Sequence, residues 1–136
     1  MDKLVVDSSV WIDFFNKKTT SQIEIIKDLI VSEVVVSRIT ILPIILQEVL
    51  QGINNNKYYE VVKDNLYGFN FLVYDSYNAS VNAADLFRYL QKKGVTIRKL
   101  NDCLIASLCI ENDLSLLHKD RDFDNIAKHT LLKIYK

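Results

Sequence analysis

A chain of 136 residues suits one domain, and domains of this size bury roughly two-thirds of the surface their unfolded chains expose. Hydrophobic residues make up 49% and charged residues 25%, as in ordinary globular domains, and three glycines and one proline leave little room for long irregular stretches. Seventeen basic residues balance seventeen acidic ones, which excludes a protein that coats nucleic acid by bulk charge but permits a local basic rim.

Leu4-Val5-Val6 is a short β-branched run that predicts the first strand, and Asp7-Ser8-Ser9 is a helix-opening signal after it. Val10, Trp11, Phe14 and Phe15 then recur at helical spacing. A second helix is predicted over about Ser21 to Val31, then a strand at Val34-Val35-Val36. Pro43 suits the first residue of a helix reaching Gln51, because its missing N–H is not needed there. Further on the pattern predicts a helix over Tyr58 to Tyr67 and a strand over Phe69 to Tyr74. A long helix over Asn78 to Lys92 has Val81, Ala84, Leu86, Phe87 and Leu90 inward and is closed by Gly94. Asn101 is read as the cap of a helix over Asp102 to Glu111. A strand over Leu114 to Leu117, a short helix over Phe123 to Ala127 and a strand over Leu131 to Ile134 complete the chain.

Apolar runs alternating with helices predict βα units and a parallel sheet covered on both faces, an α/β class. With no repeat or linker, residues 1–136 are read as a single domain. The start lacks the basic head and apolar run of a secretory leader, and no apolar stretch approaches the roughly 20 residues of a membrane helix. Cys103 and Cys109 stand six apart, on different faces of one predicted helix, and read as small buried hydrophobes. A reducing, cytoplasmic setting is expected.

Ligands of open parallel sheets bind beyond the carboxyl ends of the strands, and this rule selects which acidic residues matter. Asp7 follows the first strand, Asp102 opens a helix, and Asp120 and Asp122 follow the Leu114–Leu117 strand. Glu48 is a lone carboxylate among Ile44, Ile45, Val49 and Leu50. Each has a plain structural reading: a cap for Asp7, a polar stripe with Gln47 and Gln51 for Glu48, a favourable helix dipole for Asp102, and a solvated turn for Asp120 and Asp122. Converging at one sheet edge, however, these carboxylates would repel one another unless a hard cation neutralised them. Oxygen ligands suit Mg²⁺ or Mn²⁺, and such a site can activate water for phosphodiester hydrolysis.

At these residues the sequence resembles the PIN-domain family, and within it the VapC-type toxins of toxin–antitoxin pairs. The matching segments are Val5 to Ile12, Leu46 to Gly52, Leu100 to Ala106 and Leu117 to Phe123, in the family's order and spanning almost the whole chain. The resemblance implies a three-layer α/β/α sandwich around a central parallel sheet and a Mg²⁺- or Mn²⁺-dependent endoribonuclease. It carries catalytic and metal-site roles onto Asp7, Glu48, Asp102 and Asp120, with Asp122 as an accessory acid. Ser9 takes the small polar position that orders the first carboxylate. The implied partners are a structured RNA, a cognate antitoxin and a second copy of the chain. The antitoxin groove would lie along helices in Trp11 to Ile30 and Ile53 to Tyr67. Cleavage would leave a 5′-phosphate and a 3′-hydroxyl.

Lys119, Arg121, Arg98 and Lys99, with Lys17 and Lys18, fall in predicted loops at or beside this edge and are candidate phosphate contacts. His118 ends a strand and is read as structural. Two other readings stand beside the nuclease. One is a catalytically silent binding module of PIN fold. The other is a receiver-like domain phosphorylated on Asp75, which the missing acidic pair after the first strand disfavours.

Overall fold

A computed structural model describes residues 3–16, 21–30 and 37–135 and lays two short apolar runs of the sequence side by side. These runs form β1 (Lys3–Val6) and β4 (Leu114–Leu117), paired in parallel so that Val6 stands beside Leu117. Successive strand residues point to opposite faces. Leu4, Val5 and Val6, and Leu114 through Leu117, are nonetheless all buried, so both faces of this sheet are covered. β5 (Lys133–Ile134) extends β4 on its far side. A parallel bridge from Leu4 to Ile39 attaches a second parallel pair, β2 (Thr40–Ile41) and β3 (Asn70–Phe71), beyond β1.

Helices fill the intervals: α1 (Ser8–Phe15), α2 (Ser21–Ile30), α3 (Pro43–Gln51), α4 (Asn56–Tyr67), α5 (Ser76–Lys92), α6 (Leu100–Glu111) and α7 (Arg121–His129). Trp11 of α1 stacks on Phe15, with ring centroids 5.9 Å apart, and leans on Phe69. α3 begins at Pro43 and ends at Gly52, where a Cβ would stand 3.1 Å from the tip of Ile12, so the glycine lets α1 and α3 close on each other. α6 is buried on nearly every side, from Asp102 through Cys109. Both cysteines are free and buried, and burial pushes the Cys103 thiol up to about 11 and the Cys109 thiol up to about 12. No helix among the described residues is long and apolar enough to cross a membrane.

Several expectations are corrected. The strand expected over Phe69 to Tyr74 pairs only at Asn70 and Phe71, because Pro43 cuts its partner β2 to two residues. The last strand starts at Lys133, leaving Leu131 almost fully exposed. Asn101 does not cap α6; the cap position is Lys99, and Asn101 lies in the first turn. On α5, Val81 and Ala84 are exposed, since the core meets a narrow stripe of Ala79, Ala83, Leu86, Phe87 and Leu90. α4 and α7 start earlier than expected because Asn55 and Asp120 cap them, and α7 also runs on to His129. The expected Val34–Val36 strand, Lys17 and Lys18 lie outside the described residues.

Candidate metal centre

The β1–β4 pairing puts the strand ends side by side, and the Asp7 N–H donates to the Leu117 carbonyl at 2.9 Å. The chain leaving each strand turns at once into a helix. Asp7 caps α1, its Oδ2 accepting from the Ser9 hydroxyl at 2.7 Å and from the Ser9 N–H at 3.4 Å. Asp120 caps α7, its Oδ1 accepting from the Asp122 N–H at 3.0 Å. Asp102 sits in the first turn of α6. Three helix N-termini thus carry these carboxylates, and their dipoles favour negative charge there.

One carboxylate oxygen each from Asp102, Asp120 and Asp122 lies within 4.8 Å of the others. Asp102 and Asp122 are buried, and so is Asp7. Burial first, and the charge of Asp7 second, push the Asp102 carboxyl up to about 7; Lys99 opposes this, while Asp120 and Asp122 add to it. Asp102 Oδ2 is buried without a hydrogen-bond partner. A buried carboxylate oxygen left unpaired is costly, so this atom fits a cation ligand. An all-oxygen, all-carboxylate donor set fits a hard divalent ion.

The basic residues near this edge are partly engaged by it. Arg98 forks Asp122, Nε to Oδ2 at 3.0 Å and a terminal nitrogen to Oδ1 at 3.2 Å, and lies 3.9 Å from Asp120. Lys99 stands 3.8 Å from Asp120. Lys119 is bonded to Asp13 of α1, a buried carboxylate that the sequence reading passed over. Arg121 is exposed. His118 is buried; its Nδ1 accepts the Asp120 N–H at 2.9 Å, which places its proton on Nε2, 3.1 Å from Asp124. It therefore fixes the backbone that presents Asp120. A cleft of about 330 Å³ lined by Gln22, His118, Lys119, Asp124 and Tyr135 opens beside this turn.

Glu48 is half-buried on α3 and, like Asp7, lies outside the group whose oxygens approach within 4.8 Å, although the charge of Asp7 is felt at Asp102. Asp75, the residue a receiver would phosphorylate, caps α5 by accepting from the Tyr77 and Asn78 N–H groups.

The sheet and its acidic edge define an α/β domain with a candidate metal centre, and the PIN domain profile matches residues 4–129. The chain belongs to the PIN domain family. It is 29% identical over 130 residues, 96% of each chain, to ribonuclease VapC11 of Mycobacterium tuberculosis, and the same figures hold for a VapC ribonuclease of Mycobacterium bovis. Among solved structures it is similar to VapBC2 of Rickettsia felis bound to a promoter DNA fragment, with TM-score 0.73 and 19% identity, covering 97% of this chain and 96% of that one. DNA-bound VapBC of Salmonella typhimurium superposes with TM-score 0.69 and 21% identity over 99% and 98% of the two chains.

Proposed function

We propose that this chain, as one PIN-type domain over residues 1–136, is a metal-dependent endoribonuclease and the toxin of a VapBC-type toxin–antitoxin pair, acting on structured RNA in the cytoplasm. The observation that carries this reading is the buried, unpartnered Asp102 oxygen among converging carboxylates, in a chain whose relatives are named ribonucleases. Asp7, Asp102 and Asp120 hold Mg²⁺ or Mn²⁺, with Asp122 accessory and Glu48 completing the site or orienting the attacking water. When bound, the ion supplies Lewis acidity that activates water and offsets charge on the phosphodiester.

The chain's own residues do the positioning. Ser9 holds Asp7, and His118 holds the Asp120 backbone. Exposed Arg121 offers a phosphate contact. The antitoxin reading is supported by the VapBC assemblies among the structural neighbours. It is supported too by an apolar cleft of about 370 Å³ at Leu46, Leu66, Tyr67, Phe69 and Phe71, where Tyr67 and Phe71 are exposed. A homodimer is expected from the family resemblance.

The test is cleavage of total cellular RNA by purified protein with Mg²⁺ or Mn²⁺, against EDTA and Asp7→Asn controls. Discrete fragments bearing 5′-phosphates, absent in EDTA and reduced by about 10²-fold or more in the variant, are expected. Intact RNA with the ion demonstrably bound would instead identify a catalytically silent module.

A further inference from the structure

The carboxylates of this centre are not equally available. Asp122 is buried, and each of its oxygens accepts a bond from the Arg98 fork, at 3.0 and 3.2 Å. Such two-point contacts between guanidinium and carboxylate are among the stronger polar contacts in proteins. Asp102 Oδ2, by contrast, has no partner. Arginine keeps its charge at every physiological pH, so the fork is a permanent cation beside the centre.

Charge counting leads the same way. Asp7, Asp102, Asp120 and Asp122 bring four negative charges when ionised, while Arg98 and Lys99, reaching Asp122 and Asp120, bring two positive ones. Those two cations already offset part of the negative charge, which disfavours a second divalent ion beside them. Two-ion phosphodiester sites set their metals roughly 4 Å apart and need carboxylates to hold both. Here the carboxylate that would hold the second is already neutralised by a side chain. The loop carrying Arg98 and Lys99 runs directly into α6, whose first turn holds Asp102, so the cation and the free oxygen are fixed on one short segment.

We propose that Arg98 stands in for a second metal ion, so that the centre takes one divalent cation per chain, held by Asp7, Asp102 and Asp120 and not by Asp122. The inference rests on the metal-centre reading above.

Its test is the number of Mn²⁺ ions bound by the metal-free full chain, measured by titration calorimetry and by the electron paramagnetic resonance signal of free Mn²⁺. Wild type is expected to bind one ion. Arg98→Gln is expected to bind two, the second more weakly. Arg98→Lys, which keeps the charge, is expected to return to one, as is the double variant Arg98→Gln with Asp122→Asn. Two ions in wild type, or one in a folded Arg98→Gln protein, would overturn the inference while leaving the metal centre intact. Wild type that binds no Mn²⁺ would overturn both. Should Arg98→Gln fail to fold, the wild-type stoichiometry still decides.

Discussion

Asp102→Asn is expected to abolish RNA cleavage and, in EDTA, to make the protein more stable than wild type at pH 8. The carboxyl of Asp102 is raised from 3.8 to about 7 by burial and by Asp7. A carboxyl raised in the folded state contributes stability that is fully present below its unfolded value and is lost as pH rises through its folded value. Metal-free wild type therefore weakens between about pH 4 and pH 7, as an increasingly unfavourable charge is forced into the cluster. Asparagine carries no such charge. The gain at pH 8 is expected to be about 2 kcal/mol, a melting shift of several degrees, and to be small at pH 4.5. Thermal melts in EDTA at both pH values measure it, and added Mg²⁺ should reverse the order by stabilising only wild type. A variant less stable than wild type at pH 8 without metal would contradict the electrostatic account of Asp102.

The second large effect is expected at Lys119, and on stability first. Its ammonium meets Asp13, whose side chain is only 4% exposed. An exposed ion pair contributes little, but withdrawing one charged partner of a buried carboxylate costs more than the pair itself is worth. Lys119→Met is expected to cost about 2 kcal/mol and lower the melting temperature on the order of 5–10 °C. Adding Asp13→Asn should recover most of that loss, so the double-mutant cycle should show coupling between the two positions. The bond ties α1 to the turn just before Asp120, so cleavage should weaken along with stability. Unchanged melting with weakened RNA binding would mean that Lys119 serves the substrate directly.

Local signals made much of this fold readable. A β-branched run, a cap and a proline at the first helical position locate β1, α1 and α3, because each acts within a few residues. Strand lengths at the sheet edges were not readable, since β3 can pair only as far as β2 reaches, and β2 is set by Pro43. Likewise Val81 and Ala84 are apolar yet face outward, because the width of the stripe on α5 depends on its neighbours. At the acidic edge, the strand-end rule placed Asp7, Asp102, Asp120 and Asp122 in one neighbourhood. The pairing of Arg98 with Asp122, across 24 residues, carries no local signature. Asp13 had one: it is a lone carboxylate among Trp11, Ile12, Phe14 and Phe15, the same pattern that singled out Glu48.

The helix starts at Asp7, Asp102 and Asp120 make the centre an assembled socket. Each acid is set by backbone hydrogen bonds or a helical turn that form with the fold, so arrangement of the ligands is completed before any ion arrives. The Ser9 and Asp122 amides should then be protected from hydrogen exchange in EDTA as well as with metal. Activation becomes a matter of ion supply, fast and reversible, and a cell could silence or restore the enzyme without the chain refolding.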